Sequence, residues 1–244
     1  MRELVQRLLG ATGYQISRRI PRDFTADDEA LFRRVEAYTL TSPERIYSCT
    51  RAVEHIVRRR IPGAIVECGV WKGGTMMAVA LTLLRLGDVR DLYLFDTFEG
   101  MVAPSGVDVD FRGVDAASQL ARGKRPSKDR IWACAPEEEV RRGLLGTGYD
   151  PARMHFVRGR VEDTLPGQAP EAISLLRLDT DWYESTRHEL EHLYPRLTKG
   201  GVIIIDDYGH WQGARRATDE YLATHDVGLL LNRIDYTARI GVKA

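Results

Sequence analysis

Five short, almost uninterrupted apolar runs restrict the folds open to this chain more than any other feature. Each run is followed by a polar or glycine-containing turn and a helical stretch; the runs are AIVECGV, DLYLFDTF, MHFVRGR, AISLLRLD and GGVIIIDD. Strands that are apolar on both faces are typical of a parallel sheet covered by helices on both sides. The C-terminal stretch VGLLLNRIDYTARIGVKA predicts a terminal antiparallel hairpin. We therefore expect an α/β fold with a mostly parallel sheet.

Length and composition indicate one domain without a charged or membrane partner. The 244 residues suit a single domain over 1–244. Basic and acidic residues number 35 each, so no global field attracts nucleic acid or an anionic membrane. No apolar run approaches the ~18 residues that cross a bilayer. The odd, scattered Cys49, Cys68 and Cys134 show neither a disulfide framework nor zinc spacing, which favours a reducing compartment, the cytoplasm.

Two segments depart from the strand–helix repeat. Residues 1–60 are predicted to be helical: Leu4, Val5, Leu8 and Leu9 have amphipathic helical spacing, and a second helix follows a Ser42 cap. Residues 103–148 show no clean strand, and a long excursion at this position predicts a lid or substrate-recognition insertion. Its basic stretch RGKRPSKDR is expected to be a solvated loop. The amphipathic N-terminus and the lid favour a homodimer.

Acidic residues occur at four of the five apolar runs. They lie at or near the carboxyl end of each run: Glu67 in the first, Asp96 in the second, Asp179 and Asp181 at the fourth, and Asp206 and Asp207 at the fifth. Ligands of open α/β sheets bind outside the carboxyl ends of the strands, where the strand order reverses. The acids therefore predict a functional site at this edge of the sheet.

The turn CGVWKGGT after Glu67 indicates a cofactor that contains adenosine. Gly69 and Gly73 permit close approach of the backbone to a ligand, and Asp96 suits two ribose hydroxyls. The turn lacks both the G-x-G-x-x-G and the P-loop pattern. Glu67 and Trp71 stand where a cofactor's pyrophosphate group would have to bind. An acid at this position repels phosphate and pairs with an ammonium group. These features favour S-adenosylmethionine over NAD and ATP.

Asp179, Asp206 and Asp207 are candidate ligands of a divalent metal. Carboxylates that converge at neighbouring strand ends raise each other's pKa unless a cation lies between them, and oxygen ligands select Mg²⁺ or a similar ion. Asp181 follows Asp179 by two positions, so in an extended segment both side chains point the same way. The alternative is that these acids only cap the following turns and hydrogen-bond locally.

Four motifs, GAIVECGVWKGGT, LFDTFEGM, LRLDTDWYEST and GGVIIIDDYG, together closely resemble the macrocin O-methyltransferase family, from about Leu40 to Tyr221. Enzymes of this family methylate sugar hydroxyls of antibiotic glycosides. The resemblance implies a class I methyltransferase (Rossmann-like) fold with a seven-stranded sheet whose last pair is a hairpin. It also implies S-adenosylmethionine as the methyl donor, a divalent metal that is usually magnesium, and a small-molecule glycoside as the acceptor.

The resemblance assigns roles to individual residues. It places the metal ligands at Asp179, Asp206 and Asp207 and the general base at Asp181. The cofactor contacts that we expect are Thr41, Glu67, Gly69, Trp71, Gly73, Asp96, Thr97, Phe98, Val161, Glu162 and Asp179. Thr41 belongs to the N-terminal helical segment 1–60, which is expected to fold over the cofactor. Asp181, Tyr183 and His210 are expected to contact the substrate, and His210 is an alternative base.

Three other functions compete with this interpretation. A metal-dependent methyltransferase acting on phenols or catechols would share the acids, although Asp181 stands where such enzymes tend to carry a lysine. An NAD-binding oxidoreductase and a binding module without activity would share the sheet. A zinc site at His188 and His192, four residues apart on a predicted helix, is disfavoured because no third ligand lies nearby in the sequence.

Overall fold

A computed structural model describes residues 20–122 and 132–244 of the chain. The predicted amphipathic helix at Leu4–Leu9 lies outside these ranges, as does all of the basic stretch RGKRPSKDR except Arg122. None of the helices in the described ranges has the length and apolar character needed to cross a membrane.

The strands of the described residues form one seven-stranded sheet, in the order β3-β2-β1-β4-β5-β7-β6. They are β1 (Ala64–Cys68), β2 (Leu92–Asp96), β3 (Met154–Arg158), β4 (Ile173–Leu178), β5 (Leu197–Ile205), β6 (Asn232–Arg233) and β7 (Arg239–Val242). The first five are mutually parallel, whereas β7 pairs antiparallel with β5 and β6 antiparallel with β7. The predicted mostly parallel sheet with a terminal hairpin is confirmed.

Helices connect the strands. The α-helices within the described ranges are α1 (Ala26–Val35), α2 (Pro43–Arg58), α3 (Gly74–Leu86), α4 (Ala116–Arg122), α5 (Glu137–Leu145), α6 (Val161–Thr164), α7 (Tyr183–Leu193) and α8 (Gln212–Thr224). Short 3-10 turns lie at Glu36–Tyr38, Pro151–Arg153 and Tyr194–Arg196. As predicted, Ser42 caps α2: its side chain accepts a hydrogen bond from the backbone N–H of Arg45.

Both faces of the sheet are buried, which explains the nearly continuous apolar runs. Alternate residues of one strand pack on opposite faces: Ile65 belongs to a core shared with α2 and α3, and Val66 to a core shared with α7. Leu175 and Leu176 of β4 alternate in the same way. The strand order changes direction between β1 and β4, so the carboxyl ends of these two strands are where a ligand is expected.

Residues 103–148 contain more regular structure than the sequence interpretation anticipated. Helix α5 starts after Pro136 with three acidic residues in its first turn, which suits the helix dipole. Its Val140 and Leu144 are fully buried in the core beside α3. The spacing of these two residues and the acidic first turn are helix signals that the sequence contained. Helix α5 is therefore part of the folded body, and the absence of a strand in this segment does not mean an absence of helix.

Candidate active site

The register of the sheet brings the predicted acids together. Cys68 of β1 lies level with Leu178 of β4, and Leu178 lies level with Ile205 of β5. The ladder continues by one step, because the N–H of Asp179 donates to the carbonyl of Cys68 and the N–H of Asp206 to that of Leu178, both at 2.9 Å. Asp179 and Asp206 therefore begin neighbouring loops at the same edge of the sheet.

Arg177, which the sequence interpretation missed, lies at the centre of this acidic cluster. Its Nη1 is 2.5 Å from Glu67 Oε1 and 2.7 Å from Asp179 Oδ2, and its Nη2 is 2.6 Å from Asp206 Oδ1. The side chain is 5% exposed. A lone charge in a buried strand, two positions before Asp179, was the available signal, since residues two apart share a face.

A second arginine, Arg45 in the first turn of α2, also contacts the acidic cluster. It forms ion pairs with Asp206 Oδ2 and, at 2.9 Å, with Asp235 Oδ2. Burial opposes its charge, but Asp206 and Asp235 more than compensate and raise the pKa of Arg45 above its ordinary value. Asp235 also accepts a hydrogen bond of 2.9 Å from the hydroxyl of Ser42. The helix cap and the C-terminal hairpin are thus joined at the site.

These two guanidinium groups do not neutralise the carboxylates around them. The carboxylates are Glu67, Asp179, Asp181, Asp206 and Asp207. Burial and the neighbouring acids raise the pKa values of Asp179 and Asp207 well above the ordinary range. Burial and mutual repulsion thus both disfavour the charged forms of these acids, and a cation between them would favour those forms.

Three of the aspartates fit a divalent ion. One oxygen from each of Asp179, Asp206 and Asp207 lies within 4.8 Å of the other two. Carboxylate oxygens at this spacing suit a hard cation such as Mg²⁺. Within the described ranges, His188 and His192 are joined by no third ligand, so the structure gives no zinc site at that pair.

Asp181 faces the same cleft, in a conformation that the sequence did not predict. Its φ of +69° lies in the left-handed region, so the expectation of an extended segment from Asp179 to Asp181 is wrong. β4 ends at Leu178, and the chain turns sharply after it. Burial, together with the charge of Asp179, raises the pKa of Asp181 to about 7.

Hydrogen bonds hold Asp181 in this position. Its N–H donates to Asp207 Oδ2 at 3.3 Å, and its Oδ1 accepts a hydrogen bond of 2.6 Å from the indole N–H of Trp211. Trp211 packs edge-to-face on Trp182, with ring centroids 4.9 Å apart. Both tryptophans are buried, so Trp182 is a core residue beneath the site. These contacts fix the orientation of the Asp181 carboxylate.

The turn after β1 is shaped by Asp96 at the end of β2. One oxygen of Asp96 accepts hydrogen bonds from the N–H groups of Val70 (2.6 Å) and Trp71 (3.0 Å), and the other from Phe98 (2.7 Å). Gly69 has a φ of +81°, and a Cβ there would lie 2.0 Å from the carbonyl oxygen of Asp179. Only glycine fits where the β1 and β4 loops touch.

The cleft above these loops is lined by most of the predicted site residues. Those that line it are Thr41, Gly69, Trp71, Asp96, Thr97, Val161, Glu162, Asp179, Asp181, Asp206 and Asp207. Arg45 and Arg177 line it as well. One cleft therefore holds both the candidate cofactor residues and the candidate metal ligands.

Three predicted cofactor residues lie behind the cleft wall. Glu67 is 1% exposed and paired with Arg177, and its Oε2 has no hydrogen-bond partner among the described residues. Burial raises the pKa of Glu67 to about 7. Gly73 makes room for Leu144 and Val140 of α5, since its Cβ would lie 2.8 Å from Leu144. Phe98 is buried in the core and contributes its N–H to Asp96.

Two predicted substrate residues lie outside this cleft. The Tyr183 hydroxyl donates to Glu220 Oε2 at 2.7 Å on the exposed surface between α7 and α8. The His210 ring Nδ1 is 3.0 Å from the Tyr236 hydroxyl, and the ring also contacts Phe111. Tyr183 is the first residue of α7, and His210 lies in the turn before α8. The direction of each side chain depends on this local geometry, which sequence spacing does not reveal.

Comparison with known proteins identifies relatives over most of the chain. The family model described as Macrocin-O-methyltransferase (TylF) matches residues 5–240. Demethyldecarbamoylnovobiocin O-methyltransferase of Streptomyces niveus is 34% identical over 201 residues, which are 82% of this chain and 73% of that protein. The 8-demethyl-8-(2,3-dimethoxy-alpha-L-rhamnosyl)-tetracenomycin-C 4'-O-methyltransferase of Streptomyces olivaceus is 34% identical over 202 residues, 82% of this chain and 74% of that protein.

A solved structure of an O-methyltransferase is also similar to this chain. The O-methyltransferase NovP superposes with a TM-score of 0.72 and 29% sequence identity, covering 99% of this chain and 97% of NovP.

Proposed function

This chain belongs to the macrocin O-methyltransferase family and is an S-adenosylmethionine-dependent O-methyltransferase, and from this premise we propose that it methylates a sugar hydroxyl of a glycosylated natural product. The name of the tetracenomycin relative describes 4'-O-methylation of a compound that carries a rhamnosyl group. Family membership sets aside an NAD-dependent oxidoreductase and a binding module without activity. The expected step is one tailoring reaction on an antibiotic-type glycoside.

The observation that carries this proposal is the cluster of Asp179, Asp206 and Asp207 beside Asp181 in one cleft. We propose that the first three hold Mg²⁺ or another divalent cation. When bound, such an ion acts as a Lewis acid that lowers the pKa of a hydroxyl group and orients it. A sugar alcohol needs this help at neutral pH more than a phenol does.

Asp181 is proposed to accept the proton of the acceptor hydroxyl as the methyl group leaves the sulfonium sulfur. A general base must lie within hydrogen-bond reach of the proton that it takes. Its other contacts, the Trp211 indole and the Asp207 carboxylate, hold it at the cleft surface. No lysine lines this part of the cleft among the described residues, which supports an alcohol acceptor over a catechol.

The cofactor is proposed to bind along the β1 and β2 loops. Gly69 and Trp71 would contact its methionine part, Asp96 and Thr97 its ribose, and Val161 and Glu162 its adenine. Asp96 Oδ1 retains a lone pair for a ribose hydroxyl, because it receives only one backbone hydrogen bond, from Phe98. Glu67 would act on the cofactor through Arg177.

Segments around the cleft are proposed to close it. Thr41 lines the cleft within the N-terminal segment 1–60. Residues 105–115 are held beside the Asp181 loop, since Asp108 accepts a hydrogen bond of 2.8 Å from the N–H of Tyr183, two residues after Asp181. We propose that this part of 103–148 forms the lid. A homodimer in the cytoplasm also remains our proposal; the three cysteines are free thiols, as a reducing compartment requires.

The test is a transfer assay with matched acceptor pairs. The protein, S-adenosylmethionine and Mg²⁺ are incubated with natural-product glycosides and, separately, with their sugar-free aglycones, and the products are analysed by mass spectrometry and NMR. We expect one methyl group on a sugar oxygen of a glycoside and none on any aglycone. Methylation of an aglycone phenol would establish the phenol-type activity instead.

A further inference from the structure

Asp206 has both of its carboxylate oxygens occupied by arginines. Oδ1 accepts from Arg177 Nη2 at 2.6 Å, and Oδ2 accepts from Arg45 Nη1. The carboxylate is 1% exposed, so both of its oxygens are shielded from solvent by these partners. A cation held by Asp206 must therefore either share this side chain with the guanidinium groups or displace one of them.

The two arginines differ in how firmly they are held. Arg177 is 5% exposed and belongs to β4. Among the described residues, Glu67 and Asp179 form ion pairs with Arg177 alone, and Asp206 pairs with Arg177 and Arg45. Arg45 is 16% exposed, lines the cleft, and has a second partner in Asp235. Arg45 can leave Asp206 and stay paired with a carboxylate outside the cluster, whereas all of the ion-pair partners of Arg177 belong to the cluster.

Asp235 is positioned to remain the ion-pair partner of Arg45 when Arg45 leaves Asp206. Its Oδ1 accepts hydrogen bonds of 2.9 Å from the N–H groups of Thr237 and Ala238, and its Oδ2 accepts from Ser42 and Arg45. These contacts keep the carboxylate fixed in the turn between β6 and β7. They also lower the pKa of Asp235 despite partial burial, so it is charged at neutral pH.

We propose that Arg45 is a displaceable internal cation: it neutralises Asp206 when no metal is bound and moves fully to Asp235 when a divalent ion enters the aspartate cluster. The inference rests on the proposed metal site. A guanidinium on Oδ2 competes for a ligand oxygen and repels a divalent ion at close range. Arg45 therefore lowers the metal affinity and links metal entry to the start of α2 and to the terminal hairpin.

The experiment measures Mn²⁺ binding by the loss of the free-ion EPR signal, with the full chain saturated with S-adenosylhomocysteine. Arg45→Met and Arg45→Gln are expected to bind Mn²⁺ about tenfold more tightly, the size expected from removing one like charge next to the site. Asp235→Asn is expected to bind it more weakly, because Arg45 then has Asp206 as its only carboxylate partner among the described residues. Thermal melts monitored by circular dichroism establish that each variant is folded.

Arg51→Met provides the matched control. Arg51 lies on the same helix and pairs with Glu54 and Asp28, away from the cluster. Its Mn²⁺ affinity should equal that of the unmodified protein.

The outcomes separate this inference from the metal site itself. Weaker or unchanged Mn²⁺ binding by both folded Arg45 variants would overturn the inference and make Arg45 a positioning residue for Asp206. The metal site would still stand in that case, provided that the unmodified protein binds Mn²⁺ and Asp207→Asn does not. Absence of Mn²⁺ binding by the unmodified protein would overturn the metal site and the inference together.

Discussion

At the scale of single residues, the site depends on how one guanidinium group stabilises several buried carboxylates. Arg177 lies between Glu67, Asp179 and Asp206, and two of these acids are almost completely buried. Removing one partner of a buried ion pair leaves an uncompensated charge, which costs far more than the pair contributes. Arg177 is thus a structural requirement for a site whose own charges repel one another.

Replacement of Arg177 by methionine should destabilise the protein by about 3–5 kcal/mol. Urea denaturation at neutral pH measures the change in the free energy of unfolding. Arg187→Met is the control, because Arg187 forms an exposed pair with Glu191 on α7 and should cost less than about 1 kcal/mol. Equal effects of the two substitutions would show that Arg177 does not balance the buried charge.

Asp181→Asn should reduce kcat by about 10²–10⁴-fold, the range typical for loss of a general base. The amide oxygen can still accept the Trp211 hydrogen bond, so the fold and the Mn²⁺ affinity should change little. Steady-state kinetics and EPR titration measure the two effects separately. Asp219→Asn, on the exposed face of α8, is the control. An Asp181→Asn enzyme with full turnover would mean that another group takes the proton.

At the scale of elements, the turn between β1 and α3 is the part of the cofactor site that tolerates least change. Gly69 combines a left-handed φ with close contact to the β4 loop. Gly87, at the end of α3, has a similar φ of +66°, but a Cβ at this position would meet no atom within 4 Å among the described residues. A comparison of alanine substitutions at the two positions therefore distinguishes the effect of backbone strain, present at both, from that of a steric clash, present only at Gly69.

Gly69→Ala should lower stability by more than the ~1 kcal/mol that Gly87→Ala is expected to cost through backbone strain alone. It should also weaken S-adenosylhomocysteine binding by at least about tenfold, since the displaced loop lines the cofactor cleft. Calorimetric titration and urea denaturation measure these effects. Unchanged affinity in Gly69→Ala would remove this turn from the cofactor site.

Helix α7 contributes a buried acid to the same region. Glu189 is 0% exposed and accepts a hydrogen bond of 2.9 Å from the Thr180 hydroxyl. Burial raises the pKa of Glu189 well above its usual value of 4.5. The folded state then keeps a proton that the unfolded chain releases, so the contribution of Glu189 to stability falls as pH rises above that usual value toward the raised pKa.

Glu189→Gln should therefore stabilise the protein relative to the unmodified chain, and more at pH 8 than at pH 5. Glutamine keeps an acceptor for Thr180 and does not ionise. Urea denaturation at the two pH values measures the difference. Glu184→Gln, an exposed substitution in the first turn of the same helix, should show no such pH dependence. A constant difference across this range would contradict a protonated Glu189.

At the scale of the whole molecule, the sequence predicted the architecture because burial on both sheet faces leaves a clear pattern in β1 to β5. The meeting of Asp179 with Asp206 was also predictable, since parallel strands end at one edge. The roles of Arg45 and Arg177 were not, because ion pairing depends on register and on side-chain directions across distant segments. For the same reason, the sequence did not reveal that the side chains of Glu67 and Tyr183 lie outside the cleft.

The most direct measurement of the central claim, that the aspartates at the ends of β4 and β5 hold a divalent ion needed for methyl transfer, is a metal-restoration assay. The protein is dialysed against EDTA, and the rate of methyl transfer to the acceptor is measured before and after Mg²⁺ is added back. We expect activity to be lost and then restored, and we expect Asp207→Asn to remain inactive at the same Mg²⁺ concentration. Full methyl transfer by the EDTA-dialysed protein would contradict the claim.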